Sequence, residues 1–210
     1  MSKSVYSVIL SDDLVEELDR VAYKNGVSRS AMIDRVLSDY LTVETPTVKM
    51  ESVFSRMERL IGEWSGLRFI NQPHVAMASV QSSLAYKYNP TVKYSVELYS
   101  GEDDLGEIKI SLRTQSPALI SLMEDFYKFF VYLESKYLGE REYYYENFRF
   151  TRVLKRPDLS ATETGEAIAY FVRSLNYLLN GYFSGLENLT QTKLLLEEKY
   201  AKETVKNVMI

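Results

Sequence analysis

The stretch that decides the fold of the N-terminal region is residues 4–41, SVYSVILSDDLVEELDRVAYKNGVSRSAMIDRVLSDYL. Residues 5–10 are mostly β-branched, aromatic or aliphatic, and this run is too short for a helix. Two segments with apolar residues at helical spacing follow it, and each begins after a serine, a residue type that often caps helix N-termini. The stretch therefore predicts one short strand followed by two helices.

The boundaries of the two predicted helices have their own signals. Ser11 and Ser28 stand where the two N-terminal caps are expected. Asn25 and Gly26 supply a left-handed stop for the first helix. These four residues place the first helix between Ser11 and Asn25 and begin the second helix after Ser28.

This order of strand, helix, turn and helix, with Ala22-x-x-Asn25-Gly26-x-Ser28 in the turn, resembles the ribbon-helix-helix DNA-binding domains of the Arc/MetJ/CopG type. The resemblance implies a homodimer in which one strand from each chain pairs into an antiparallel ribbon that enters the major groove of double-stranded DNA. The residues themselves also indicate a dimer. A lone strand has two unpaired edges, and a domain of about forty residues buries too small a core to be stable by itself.

Strand alternation decides which side chains of the ribbon would face DNA. If the even-numbered residues point at the helices, then Val5, Ser7 and Ile9 point at the bases. In the family these positions usually carry polar or basic side chains. Here Ser7 alone can exchange hydrogen bonds with a base edge, and its two neighbours offer apolar contact, for instance with a thymine methyl group. A register slipped by one residue would present Ser4 and Tyr6 instead. In a further alternative, Val5 and Ile9 pack on protein and the ribbon only dimerises.

The expected phosphate-binding elements match the family better. Backbone N–H groups at the start of the second helix, together with Ser28, Arg29 and Ser30, form an anion site of a common kind. Lys3 is a further base near the expected DNA surface. The formal net charge of −4 argues against a protein that coats nucleic acid nonspecifically, so we expect modest nonspecific affinity with a shallow salt dependence.

The rest of the chain predicts a second, larger domain. Residues 1–43 form the first domain, residues 44–48 around Pro46 an extended linker, and residues 49–210 the second domain. The predicted fold class is α+β: an N-terminal ribbon-helix-helix dimerisation domain followed by an antiparallel β-meander covered by long helices. The expected elements of the second domain are a helix over 50–64, strands over 76–88, 91–99 and 106–114, a helix over 116–138, a strand over 148–154, a helix from a capping box at Ser160 and Glu163 to about Gly181, and a last helix over 187–206.

The sequence offers little for catalysis. Cysteine is absent and the single histidine is His74, so neither a thiolate site nor a usual zinc or nickel site is expected. Phosphate-binding glycine loops and nucleophile elbows are also missing. We therefore predict a protein that is not an enzyme and has no cofactor. Without a signal peptide or an apolar run long enough for a membrane span, the expected location is the cytoplasm, with no membrane partner.

Two further features of the sequence leave alternatives open. Arg149, Arg152, Lys155 and Arg156 form the densest basic cluster, which is a site for a phosphate-bearing, anionic effector, a contact with flanking DNA, or a strand edge protected by charge. Seventeen tyrosines, including the run 143–145, suit interfaces and ligand pockets as well as half-buried strands, and no pocket can be placed from them.

The function that these patterns favour is a sequence-specific transcriptional regulator, a repressor or an activator. It acts as a homodimer or a tetramer, and the second domain adds either oligomerisation or a response to a small-molecule or protein effector. One alternative is an antitoxin or another protein-partner-binding module with the same fold. The other is a plasmid-maintenance DNA binder that assembles along tandem sites.

Overall fold

The structure is a computed structural model that describes residues 6–41, 45–71, 75–101, 103–146, 148–206 and 210. The chain divides into two compact units, Met1–Lys49 and Met50–Ile210. No helix in these described ranges is both long and apolar enough to cross a membrane.

The first unit contains the two predicted helices, α1 over Asp12–Lys24 and α2 over Arg29–Leu41. The Ser11 carbonyl accepts the first hydrogen bond of α1 at 3.1 Å, although the Ser11 hydroxyl makes no capping bond. The Ser28 hydroxyl accepts the N–H of the third residue of α2 at 3.3 Å. Both predicted helix starts are therefore confirmed, and only Ser28 caps with its side chain.

The turn between α1 and α2 is confirmed as a left-handed stop. Gly26 has φ +66°, a backbone conformation that glycine adopts at little cost. Its N–H donates to the Tyr23 carbonyl at 3.1 Å, and the Val27 N–H donates to the Ala22 carbonyl at 3.0 Å. These two bonds make a Schellman motif, which satisfies the last carbonyls of α1.

The predicted N-terminal strand is not seen. Residues 6–10 form no strand, and Val5 lies outside the described residues. A strand needs a neighbour that accepts and donates its backbone hydrogen bonds, and the described part of a single chain provides none at this place. The β-ribbon, which the sequence predicts from two chains, is accordingly not formed by one.

Helix α3, Pro46–Gly62, replaces most of the predicted linker. Thr45 caps it, because the Thr45 hydroxyl accepts the Val48 N–H at 3.3 Å and the Thr45 carbonyl accepts the Lys49 N–H at 2.9 Å. The prediction of an extended segment over 44–48 is therefore wrong from Pro46 onward. Its physical reason is that proline suits the first position of a helix as well as it suits an extended chain.

The second unit is built on a six-stranded antiparallel sheet, so the predicted α+β class with an antiparallel meander is confirmed. The strands are β1 Arg68–Asn71, β2 Met77–Ser83, β3 Thr91–Leu98, β4 Asp104–Leu112, β5 Tyr143–Glu146 and β6 Arg149–Lys155. Their order across the sheet is β1-β2-β3-β4-β6-β5. Strand β6 thus lies inside the sheet, and the unpredicted strands β1 and β5 form its two edges.

Long helices complete the second unit: α4 over Pro117–Leu138, α5 over Ala161–Ser184 and α6 over Leu189–Lys206. The capping box at the start of α5 is confirmed, since the Ser160 hydroxyl accepts the Glu163 N–H and the Glu163 carboxylate accepts the Ser160 N–H at 2.9 Å. Fully buried core side chains come from the sheet and from α3, α4 and α5, for example Tyr94, Ile108, Met57, Phe126 and Ile168.

Helices α3 and α5 approach each other closely at Gly165. A Cβ atom at this position would lie 2.5 Å from the Val53 carbonyl oxygen, which is closer than real side chains come. The Arg56 guanidinium pairs with the Glu166 carboxylate beside this crossing, with Nε 2.8 Å from Oε1. Glycine at 165 therefore permits the contact that joins α3 to the body of the second unit.

Candidate nucleic-acid interface

The first unit exposes most of its apolar side chains. Among its described residues, only Ala22 and Met32 are buried apolar side chains. We call its exposed large apolar side chains the open apolar surface of the first unit: Tyr6, Val8, Ile9, Leu14, Tyr23, Val36, Leu37, Tyr40 and Leu41. Apolar surface on this scale is unfavourable in water, and it typically marks a protein interface.

The residues predicted to read bases lie in or next to this surface. Tyr6, Val8 and Ile9 are 82%, 74% and 101% exposed, and Ser7 is exposed between them. Lys3, Ser4 and Val5 lie outside the described residues. Because residues 6–10 are not in a strand, the structure does not test whether the ribbon would have the predicted register or the slipped one.

Of the four residues predicted to bind phosphate, three lie in the described part of the chain and are adjacent. Ser28, Arg29 and Ser30 are all exposed at the start of α2. The first backbone N–H groups of a helix and the positive end of its dipole favour an anion at this position.

Arg29 already has an acidic partner in its own chain. Its guanidinium Nε lies 2.6 Å from Oδ1 of Asp19 in α1, and both side chains are about half exposed. The hydrogen bond from Arg29 lowers the pKa of Asp19, so the carboxylate is charged at neutral pH. A DNA phosphate would therefore compete with Asp19 for Arg29. No pattern in the sequence indicates this pair, because its members lie ten residues apart on different helices.

The basic cluster at 149–156 is not brought together as one site. Successive strand residues face opposite sides of a sheet, so Arg149 and Arg152, three residues apart in β6, lie on opposite faces. Arg149 is exposed, whereas Arg152 is completely buried. Strand alternation in the sequence already indicates that the basic side chains of this cluster are divided between the two faces of the sheet.

The two other cations of this cluster have partners on neighbouring strands and loops. The Lys155 ammonium lies 2.8 Å from Oδ1 of Asp104. The Arg156 guanidinium donates to the carbonyl of Asp104 at 2.9 Å and to that of Tyr99 at 3.3 Å. Since β6 is an inner strand, the alternative of a protected sheet edge does not describe these residues either.

Arg152 instead belongs to a polar cluster inside the second unit. It donates two hydrogen bonds to Glu134 of α4, at 2.9 and 3.2 Å, and its guanidinium lies 4.8 Å from the centre of the Phe171 ring. The Tyr143 hydroxyl donates to the same carboxylate at 2.8 Å. Burial, with the negative charge of Glu134, raises the pKa of Tyr143 above its usual range, so this hydroxyl keeps its proton. The arrangement is structural, because it satisfies a charge that the fold buries.

The described residues hold no candidate metal site, and the comparisons with known proteins find no relative. In the part of the chain that the structure describes, no three histidine, aspartate or glutamate side chains are placed to hold a metal ion. His74 lies outside that part. Comparisons of the chain with protein-family models, with curated proteins and with solved structures give no match.

Proposed function

We propose that this protein is a homodimeric, sequence-specific DNA-binding transcriptional regulator. The N-terminal segments of two chains pair as an antiparallel ribbon, and the ribbon enters the major groove as in the ribbon-helix-helix domains that residues 4–41 resemble. The observation that carries the proposal is the open apolar surface of the first unit, which includes residues of α1 and α2. The order and lengths of these helices, and the chemistry of the turn between them, match the resemblance.

Dimerisation is the first step of the proposal. Each large apolar side chain that leaves water contributes about 1.5–3 kcal/mol. Nine such side chains are exposed in the first unit, of which Tyr6, Val8 and Ile9 belong to the segment that would form the ribbon. A second copy offers the same surface, and pairing of residues 6–10 with their symmetry mates would also satisfy their backbone N–H and C=O groups.

DNA binding is the second step. The exposed start of α2 supplies backbone donors, the Ser30 hydroxyl and the Arg29 guanidinium for a phosphate. In the free protein Asp19 takes the place of that phosphate. An exchange of one anion for another leaves Arg29 paired in both states, so its net contribution to DNA affinity is expected to be modest.

A protein-partner function is the second candidate, and Ile9 is the observation that favours it. Its side chain is fully exposed and cannot exchange hydrogen bonds with a base, so it suits an apolar partner at least as well as a thymine methyl group. An antitoxin would place its toxin on this surface. A plasmid-maintenance protein would use the same ribbon on tandem DNA sites.

A sedimentation experiment on the full chain tests the dimer surface. Val8→Asp should convert a micromolar dimer into a monomer and abolish DNA binding, because a charge at Val8 cannot be buried between two chains. Val205→Asp is the matched control, since Val205 is 87% exposed on α6 of the second unit. A Val8→Asp protein that stays dimeric and binds DNA as the wild type does would refute the proposal.

A further inference from the structure

A cavity of about 510 Å³ lies in the second unit between α4 and the strands β5 and β6. Sites for small molecules usually have volumes of roughly 300–1,000 Å³ and apolar walls with a few polar groups. This cavity fits that description. Its lining consists of Glu124, Tyr127, Lys128, Val131, Tyr145 and Phe150.

Aromatic rings form two walls of the cavity. The rings of Tyr127 and Phe150 stack in parallel, with centroids 4.5 Å apart and 9° between their planes, and both residues are buried. The Tyr145 ring lies 5.9 Å from Tyr127 at 54°, so the second wall meets the first at an angle. Aromatic faces carry partial negative charge and attract cations within about 6 Å.

The cavity lining carries one negative and one positive side chain, Glu124 and Lys128, and within the described part of the chain only the positive one is paired with an opposite charge. The half-buried Glu124 carboxylate accepts the Tyr145 hydroxyl at 3.1 Å, and no lysine or arginine of the described residues pairs with it. Lys128 lies one helical turn further along α4, but its ammonium pairs with Asp125 at 3.2 Å and its side chain is 76% exposed. The cavity therefore presents one carboxylate without a cationic partner.

We propose that this cavity binds a small organic cation, a quaternary or protonated amine on an apolar body, with its positive charge between the aromatic walls and Glu124. An anionic ligand would be repelled by the same carboxylate. A neutral apolar ligand would displace water from the Glu124 carboxylate without offering the carboxylate a new hydrogen bond or an opposite charge, which is unfavourable. A bare metal ion would find one carboxylate here, which is too few oxygen ligands for calcium or magnesium.

The protonation of Tyr145 is consistent with this site. Burial and the hydrogen bond to Glu124 both raise the pKa of Tyr145. Its phenol is therefore neutral at physiological pH and donates to the carboxylate, which leaves the negative charge of the cavity on Glu124.

Calorimetric titration of the full chain with benzyltrimethylammonium tests the proposal. We expect saturable binding at one site per chain with a Kd below about 1 mM, and no binding of benzenesulfonate, which has a similar body and the opposite charge. Glu124→Gln and Tyr145→Ala should each weaken binding by about tenfold, because each removes one source of attraction for the cation. Glu187→Gln removes an exposed acid outside the cavity and should bind as the wild type does.

Three results would overturn the proposal. They are the absence of saturable binding by the wild type at about 10 mM ligand, equal binding of benzenesulfonate, and unchanged binding by Glu124→Gln. The comparison of the two ligands uses the wild-type protein, so it holds even if a variant folds poorly. DNA is absent from the titration, and the result is therefore independent of the proposed DNA-binding function.

Discussion

Arg152 in β6 and Glu134 in α4 form a two-point ion pair inside the second unit, with contacts of 2.9 and 3.2 Å, and neither side chain reaches solvent. A buried charge that loses its partner is far more costly than the pair itself. The pair therefore holds α4 to the sheet chiefly because a shift of α4 away from β6 would leave the buried charge of Arg152 without a partner.

The first prediction concerns this pair. Glu134→Gln should reduce the free energy of unfolding by about 3–5 kcal/mol in urea denaturation, because it leaves the Arg152 charge buried and unpaired. Arg152→Met combined with Glu134→Leu should recover most of that loss, since two apolar side chains leave no charge to compensate.

The exposed pair of Lys202 and Glu198 on α6 is the matched control for the first prediction. Glu198→Gln should leave the free energy of unfolding nearly unchanged, as is usual for exposed pairs one helical turn apart. Equal costs for Glu134→Gln and Glu198→Gln would contradict the burial of the first pair.

The second prediction concerns the competition for Arg29. Asp19→Asn should free the guanidinium for a phosphate, so we expect DNA affinity to rise by about two- to tenfold for specific and unrelated duplexes alike, with a steeper salt dependence. Fluorescence anisotropy at several salt concentrations measures both effects. Glu16→Gln, which removes a neighbouring negative charge from α1, should raise affinity less. An equal rise in the two variants would show that only net charge matters.

The third prediction separates base reading from phosphate binding. Ser7→Ala should cost about 1 kcal/mol per subunit and blur one position in each half-site, because it removes the one polar base-facing group. Arg29→Ala should weaken binding about equally across sequences. Binding of a library of point-mutated sites by each variant measures the difference. If Ser7→Ala matches the wild type and changes at Ser4 or Tyr6 relax specificity, the ribbon has the slipped register.

The fourth prediction concerns acid stability. The Lys136 ammonium, 2.6 Å from Glu197, and then the hydroxyls of Tyr137 and Tyr132 lower the pKa of Glu197 below its usual value. In the unfolded chain this carboxyl has a pKa of about 4.3. The stability that Glu197 contributes is therefore present above about pH 4.3 and is lost as the pH falls through the lower, folded-state pKa.

Denaturation of the wild type and of Glu197→Gln as a function of pH tests the fourth prediction. The variant should be less stable than the wild type at pH 7, and the difference should shrink progressively below about pH 4.3. Glu187→Gln, which removes one exposed acid elsewhere in the second unit, provides the control for the loss of a negative charge. A difference between wild type and Glu197→Gln that is the same at pH 7 and pH 3 would contradict the assignment.

The parts of the fold that the sequence predicts are those with local signals. Gly26 and Ser28 mark the turn of the first unit within a few residues, and Ser160 with Glu163 marks the start of α5. Alternation predicts β3 and β4 because one face of each strand is apolar and the other is polar. Such signals require nothing from distant residues.

The parts that the sequence does not predict depend on distant partners. Strand β5 consists of three tyrosines and a glutamate without apolar alternation, and it becomes a strand by pairing with β6. The burial of Arg152 is not predicted, because its partner, Glu134, lies eighteen residues earlier on another element. The cavity at Tyr145 likewise needs the helix that carries Glu124. The proposed N-terminal ribbon would need a second chain.

The most direct test of the central proposal is the selection of duplexes bound by the full-length protein from a random pool. A dimeric ribbon that reads bases through Ser7 and methyl contacts should enrich an A·T-rich inverted repeat with few strongly specified positions. Recovery of a pool indistinguishable from the input, by a protein that sedimentation shows to be dimeric, would contradict the DNA-binding function and favour a protein partner for the same surface.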